Sequence, residues 1–241
     1  MLQFHEITCE HDGVPLKGYY ARPANGGASA PGVFAIPGAS GGVTRMKMTV
    51  TKLAELGFVA AAVCMYDARE DTTDEMAAAK HFMELLAAPD MLRARTRAWF
   101  DAIAALPGVD PARIGTLGYC FGGQCVLELA RSGADVKATV AYHGLLRTHA
   151  PALPGMIKGH VAAWCAGRDP YVPLEDIDGF RKEMGDAGVA HQVTIFSEAQ
   201  HAFTDPDAAS HAREGIAYDA LSEEISWAGT VALLKRQLSC A

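Results

Sequence analysis

The stretch Gly118-Tyr119-Cys120-Phe121-Gly122-Gly123 constrains the fold of this chain more than any other. The apolar run Arg113-Ile114-Gly115-Thr116-Leu117 precedes it, and Gln124-Cys125-Val126-Leu127-Glu128-Leu129-Ala130 follows. Physically this reads as a strand, a turn too tight for ordinary side chains, and a helix. Glycines stand two residues to either side of the apex, where a Cβ would clash across a strained backbone. The apex residue, Cys120, is pushed out above the end of the strand. The helix that begins there aims free N–H groups and the positive end of its dipole at the sulfur, which favours thiolate. A Gly-x-nucleophile-x-Gly turn between strand and helix is a nucleophile elbow. The competing reading is a glycine-rich turn that carries a buried cysteine.

The rest of the chain alternates in the same way. Residues 3–10 and 14–21 flank His11-Asp12-Gly13 and read as a β-hairpin. Residues 22–31 form a polar surface loop. A buried strand over 32–36 ends in Pro37-Gly38-Ala39-Ser40-Gly41-Gly42, which opens a helix over 44–56. Further strands are expected at 58–65, 113–117, 136–142, 160–166 and 191–196. Helices are expected near 73–87 and 90–106, after the elbow, at 174–187 and at 221–238. Met76, Phe82, Met83 and Leu85 read as a core stripe, Arg93, Arg95 and Arg97 as a solvated face, and residues 107–111 as a turn. Strands alternating with helices give βαβ units and a mostly parallel sheet, with the hairpin as an antiparallel edge. With no repeat, low-complexity tract or linker in the sequence, residues 1–241 are expected to form a single α/β domain, large enough for a sizeable core.

Charge and cysteine content narrow the function classes. The net charge is −7 and no basic stripe occurs, so neither nucleic acid nor an anionic membrane is an expected partner. No signal peptide or apolar span of membrane length is read in the sequence. The six cysteines, Cys9, Cys64, Cys120, Cys125, Cys165 and Cys240, form no CxxC pair and read as free thiols of a reducing cytoplasm. A Cys120–Cys125 redox pair lacks the usual spacing. There is no Rossmann fingerprint, Walker sequence or His/Cys metal spacing, so no cofactor and no metal are expected.

A thiol nucleophile needs a base within hydrogen-bond reach, and the base needs an orienting acceptor. In open α/β sheets such residues sit in loops at the carboxyl ends of strands. The order nucleophile, acid, His is the one α/β-hydrolases use. Asp169 follows the strand at 160–166 and is the candidate acid; alternatively Asp169-Pro170 merely opens a turn or caps the next helix. Asp176 and Asp178 lie inside that helix and are weaker candidates. His201 follows the last strand and is the candidate base, whereas His143, also after a strand, is the other histidine able to approach. The backbone N–H groups of Ala39 and Phe121 are the candidate oxyanion donors.

The elbow, Gly167-Arg168-Asp169 and His201-Ala202-Phe203, in that order, closely resemble the dienelactone hydrolase family along nearly the whole chain. The resemblance implies an α/β-hydrolase fold with a sheet of about eight strands. It also implies a cytoplasmic esterase or lactonase with a Cys120-Asp169-His201 triad, cleaving a small ester or lactone through a thioester. The alternative from another class is a non-catalytic small-molecule binding protein of the same fold. Two positions depart from the family pattern. Gly38 stands where the well-studied members carry a Glu that engages the resting thiol, so direct pairing of Cys120 with His201 is expected. Asp205 stands where they carry an Arg that binds a substrate carboxylate, which argues against an anionic dienelactone as substrate. Arg45, Arg69 and Arg168 are possible replacement cations but read more simply as surface residues. Tyr66, Trp164, Tyr171 and Phe203 are aromatic candidates for the pocket wall, with core packing as the alternative. Oligomeric state is not readable from the sequence.

Overall fold

A computed structural model of the chain describes residues 2–24, 29–71 and 74–239, without the side chains of Thr44, Arg45, Glu75 and His211. Strands β1 (Phe4–His11) and β2 (Val14–Ala21) form the expected hairpin. Its turn residues Asp12 and Gly13 both have positive φ, 51° and 72°, the conformation that a two-residue hairpin of native twist requires. Six further strands follow: β3 (Ala30–Ile36), β4 (Val59–Val63), β5 (Val109–Tyr119), β6 (Ala138–Tyr142), β7 (His160–Ala166) and β8 (His191–Phe196). They make one eight-stranded sheet in the order β1-β2-β4-β3-β5-β6-β7-β8. The hairpin pairs antiparallel to β4, and every pairing from β4 to β8 is parallel.

Every residue of β4 and β6 is buried, as expected for parallel strands covered on both faces. Alternate side chains of β3 show the two layers. Phe34 and Ile36 pack with residues of α2 (Glu75–Ala87), α3 (Pro89–Ala104) and α4 (Phe121–Arg131). Val33 and Ala35 pack with α1 (Lys47–Glu55) and α6 (Ala220–Leu238) on the opposite face. The fifth helix, α5 (Leu174–Asp186), closes the α4 face over β6 and β7. The molecule therefore has the α/β-hydrolase fold. Among the described residues, no helix is long and apolar enough to cross a membrane.

Several local expectations are corrected. Residues 107–111 are not simply a turn, because β5 already starts at Val109 and pairs with Ala30. A register shift between Pro31 and Gly32 carries the pairing on to Ile114, so the extra residues bulge out of the ladder. The helix expected from residue 44 begins as a 3-10 turn, Val43–Met46. The start expected near residue 73 lies outside the described residues. Of the four stripe residues on α2, Leu85 is buried and Phe82 partly so, whereas Met76 and Met83 are 82% and 60% exposed. The arginines of α3 are not one solvated face. Arg97 is exposed and bonds Asp101, but Arg93 reaches the buried Glu128, and Arg95 is 6% exposed and donates to the Met65 carbonyl at 2.7 Å. Each of these two guanidiniums has an acceptor at its inner end, Arg93 on α4 and Arg95 just beyond β4.

Candidate active site

Ala39, Cys120, Asp169 and His201 all lie just beyond the carboxyl ends of strands, after β3, β5, β7 and β8. Cys120 follows β5 with φ 53° and ψ −117°, a strained position for a residue with a side chain. The flanking glycines are required by close backbone approach. A Cβ on Gly118 would stand 2.0 Å from the Gly122 carbonyl oxygen, one on Gly122 2.1 Å from that of Ile36, and one on Gly123 2.6 Å from the Cα of Gly144. The first turn of α4 is thus pressed onto the ends of β3 and β6. The Cys120 N–H donates to a main-chain carbonyl of β6 at 3.0 Å, a backbone bond that does not depend on the side chain there.

His201 follows β8, in a loop pinned by the segment ahead of α6. Its N–H donates to Gly215 at 2.9 Å, and its carbonyl accepts from Ala217 at 3.1 Å. The ring is buried, and Nδ1 lies 2.7 Å from Oδ2 of Asp169. The other Asp169 oxygen, Oδ1, accepts the Tyr171 N–H at 2.8 Å. Asp169 therefore satisfies both readings of its sequence context: one oxygen shapes the turn and the other holds the imidazole. With Nδ1 taken, Nε2 is the nitrogen left for the Cys120 thiol, to which His201 is hydrogen-bonded.

The loop after β3 completes the site. Gly41 N–H donates to the Gly38 carbonyl at 3.0 Å, closing the turn Gly38-Ala39-Ser40-Gly41. The backbone N–H groups of Ala39 and Phe121 both point at the Cys120 sulfur. Burial alone would push this thiol up. The His201 hydrogen bond, the imidazole charge and the two amides outweigh it and hold the thiol below its ordinary value. Burial likewise lowers His201, but the Asp169 hydrogen bond and the thiolate raise it above the ordinary histidine range. The arrangement is a buried thiol beside an imidazole, with a carboxylate behind the ring and two amides at the sulfur, and both shifts favour the thiolate–imidazolium form. It can attack an electrophile, stabilise an oxyanion and deliver a proton.

A comparison with known protein families decides what this geometry belongs to: the profile described as the dienelactone hydrolase family matches residues 16–238. The chain belongs to the dienelactone hydrolase family. This dienelactone hydrolase family member is a hydrolase of carboxylic ester bonds. It is similar to the solved structure of m3DLH, at 33% identity and a TM-score of 0.91, with 99% of each chain covered. A dienelactone hydrolase-like promiscuous phosphotriesterase from metagenomic libraries matches at 30% identity and a TM-score of 0.91, again over 99% of each chain. Protein usf of Aquifex pyrophilus is 28% identical across 97% of this chain and 98% of its own.

Within this dienelactone hydrolase family member, the two departures read from the sequence take physical form. Gly38 lies against the thiol: a Cβ there would stand 3.4 Å from Cys120 Cβ and 4.0 Å from its sulfur. With no side chain at position 38, His201 is the side chain hydrogen-bonded to the Cys120 thiol. Of the replacement cations, Arg69 is exposed and chelates Asp67 at 2.6–3.2 Å, and Arg168 pairs with Glu198. The Arg45 side chain lies outside the described residues. Asp176 pairs with Arg147 at 2.8 Å and Asp178 with Arg181 at 3.1 Å, so neither competes for His201. Cys125 is fully buried, pushed well up by burial, and bonds Thr96. The five described cysteines, Cys120 and Cys125 included, are free thiols. Among the described residues, no cluster of His, Cys, Asp and Glu could hold a metal ion.

The aromatic candidates divide. Tyr171 is 47% exposed and stands edge-on to His201 at 4.9 Å, on the open side. Trp164 and Phe203 are core residues, and Trp164 donates to Thr230 at 3.0 Å. His143, the other histidine expected at a strand end, does approach the site. It follows β6 with φ 37°, is 4% exposed and stands edge-on to His201 with centroids 5.0 Å apart. Its place at a strand end was legible; its burial against His201 depends on Phe203 and Thr204, from a loop far along the chain.

Proposed function

We propose that this chain hydrolyses small, uncharged esters or lactones by two-step acyl transfer, with Cys120 as nucleophile, His201 as acid and base, and Asp169 as orienting carboxylate. The observation that carries the reading is the unbroken run Asp169–His201–Cys120, with the Ala39 and Phe121 amides converging on the same sulfur. Cys120 thiolate attacks the carbonyl carbon, and the resulting oxyanion sits on those amides. As the C–O bond breaks, the imidazolium of His201 gives its proton to the leaving oxygen and an acyl-thioester remains. His201, now neutral, takes a proton from water, hydroxide adds to the thioester, and the acid and the thiolate–imidazolium pair are regenerated.

A thiolate is itself a good leaving group, so the first intermediate goes forward only when the departing oxygen is stabilised. Enol lactones and aryl esters meet that condition. An uncharged substrate is supported by Arg69 and Arg168 being held in ion pairs of their own and by Asp205 at the family's arginine position. The metagenomic relative is described as a phosphotriesterase. Gly38 leaves space beside the thiol for a tetrahedral, uncharged phosphoryl centre, which makes aryl phosphotriesters a second substrate class. The free thiols support a reducing cytoplasm as the setting, and the single eight-stranded sheet supports residues 1–241 acting as one catalytic unit.

The test is Cys120→Ala assayed with an enol lactone, p-nitrophenyl acetate and a p-nitrophenyl phosphotriester. Loss of turnover together with a thioester on Cys120 in the parent, seen by intact mass, supports the reading. Undiminished turnover in the variant removes Cys120 as nucleophile. Binding with no turnover in the parent would favour a small-molecule binding protein instead.

A further inference from the structure

Both amides assigned to the oxyanion belong to residues gripped by one side chain that the chemistry does not otherwise use. Tyr66, just beyond β4, is 1% exposed. Its hydroxyl donates to the Ala39 carbonyl at 2.6 Å. Its ring stacks on Phe121 at 6.3 Å and an interplanar angle of 22°. The ring also fills the space beside Gly41, where a Cβ would lie 2.7 Å from it. In the turn Gly38-Ala39-Ser40-Gly41 the internal hydrogen bond uses the first carbonyl and the last N–H, so the Ala39 carbonyl has no partner inside the turn. Left unpaired in a dry site it would rotate toward any available donor, carrying the Ala39 amide off its aim. The Tyr66 hydroxyl supplies that partner.

Tyr66 is itself held from the helical layer. The Trp99 indole N–H donates to the Cys64 carbonyl at 2.8 Å, and Arg95 donates to the Met65 carbonyl at 2.7 Å. The Tyr66 N–H donates to the Cys64 sulfur at 3.4 Å. The buried face of α3 thus fixes the end of β4, which fixes Tyr66, which fixes the loop after β3.

We infer that Tyr66 is a positioning residue that keeps the Ala39 N–H aimed at the developing oxyanion. The inference rests on the reading of Cys120 as nucleophile and of Ala39 and Phe121 as oxyanion donors. The alternative is a core tyrosine whose hydroxyl merely finds an acceptor. Tyr142 provides the comparison: its buried hydroxyl bonds Thr230 at 2.6 Å on the opposite face of the sheet.

The experiment is stopped-flow acylation by p-nitrophenyl acetate with Tyr66→Phe and Tyr142→Phe, each checked by thermal melting. For Tyr66→Phe, acylation rate and kcat should fall about tenfold with KM within about twofold, since a misaimed donor weakens only the transition state. Both limbs of its pH profile should stay where the parent's are, because Cys120, His201 and Asp169 are untouched. Tyr142→Phe should keep kcat within about twofold of the parent. A Tyr66→Phe enzyme acylated at the parent rate, or an equal loss in Tyr142→Phe, overturns the inference alone. A parent that turns the ester over with no thioester on Cys120 overturns the inference and the underlying reading together.

Discussion

His143 stands edge-on to His201 with ring centroids 5.0 Å apart, and its own Nδ1 is buried without a hydrogen-bond partner. Nε2 lies 2.9 Å from the Thr204 hydroxyl. Burial, and then the neighbouring His201 charge, hold His143 well below the ordinary histidine value of 6.5. It therefore stays neutral in the folded protein while its unfolded counterpart takes up a proton below 6.5. The unfolded state binds more protons there, so stability rises with pH up to 6.5 and falls as the solution is acidified below it. His143→Phe removes this slope. Melting temperatures at about pH 7.5 and 5.5 should drop less in the variant than in the parent, with about 1 kcal/mol of acid destabilisation removed. Equal drops would show that His143 is charged in the folded protein.

Asp169→Asn should leave the fold intact and remove most of the activity. The turn needs only an acceptor for the Tyr171 N–H, which the Asn oxygen supplies. The amide NH2 then faces His201 Nδ1 and selects the wrong tautomer, so Nε2 carries a proton and no longer accepts one from the thiol. The expected fall in kcat is about 10²–10⁴-fold with the melting temperature nearly unchanged. Steady-state kinetics beside a melting curve measure both.

Alkylation of Cys120 should titrate apart from the other described thiols. Its reactivity rises with pH as the thiolate forms, and its value is held below the ordinary 9.0 despite burial. Cys9 is pushed up to about 11 and Cys165 to about 12, in both cases by burial. Near pH 7, brief exposure to iodoacetamide followed by peptide mapping should find label on Cys120 and none on Cys9 or Cys165. In His201→Ala the burial is no longer opposed by an imidazole. Labelling of Cys120 at that pH should then fall by at least about tenfold.

Much of this fold was legible because its signals are local. Gly57, Gly133 and Gly188 end α1, α4 and α5 with positive φ, and the alternation of apolar runs with helical stretches follows from such stops. Cys120, Asp169 and His201 were legible as candidates because topology dictates which loops meet. What escaped depends on contacts distant in sequence. Arg95 looks like any surface arginine until Met65 offers a buried carbonyl. Met76 and Met83 have the composition of a core stripe, yet α2 turns them outward because Leu85 and Phe82 already fill its contact with the core. Tyr66 carries no motif, and its role appears only when Ala39, Gly41 and Phe121 are seen around it.

The glycines of the site make a final contrast, because they look alike in sequence and differ in what surrounds them. A Cβ on Gly122 would sit 2.1 Å from the Ile36 carbonyl oxygen and 2.6 Å from that of Pro37, both rigid backbone at the end of β3. Neither atom can move without breaking the contact between α4 and the sheet. Gly122→Ala should therefore fail to yield folded protein, or melt far below the parent, by well over about 4 kcal/mol. Gly38 meets only Cys120 Cβ at 3.4 Å, the Tyr119 carbonyl at 3.7 Å and the Cys120 sulfur at 4.0 Å, all ordinary contacts. Gly38 has no positive φ, so alanine brings no backbone strain either. Gly38→Ala should fold with stability within about 1 kcal/mol of the parent. Its methyl group would occupy the space beside the thiol where the proposed substrates enter. Turnover of p-nitrophenyl acetate should then fall less than turnover of a bulkier p-nitrophenyl phosphotriester. Melting curves separate the two glycines, and the ratio of the two activities measures the room that Gly38 leaves. An unchanged ratio would place the substrate on another side of the sulfur.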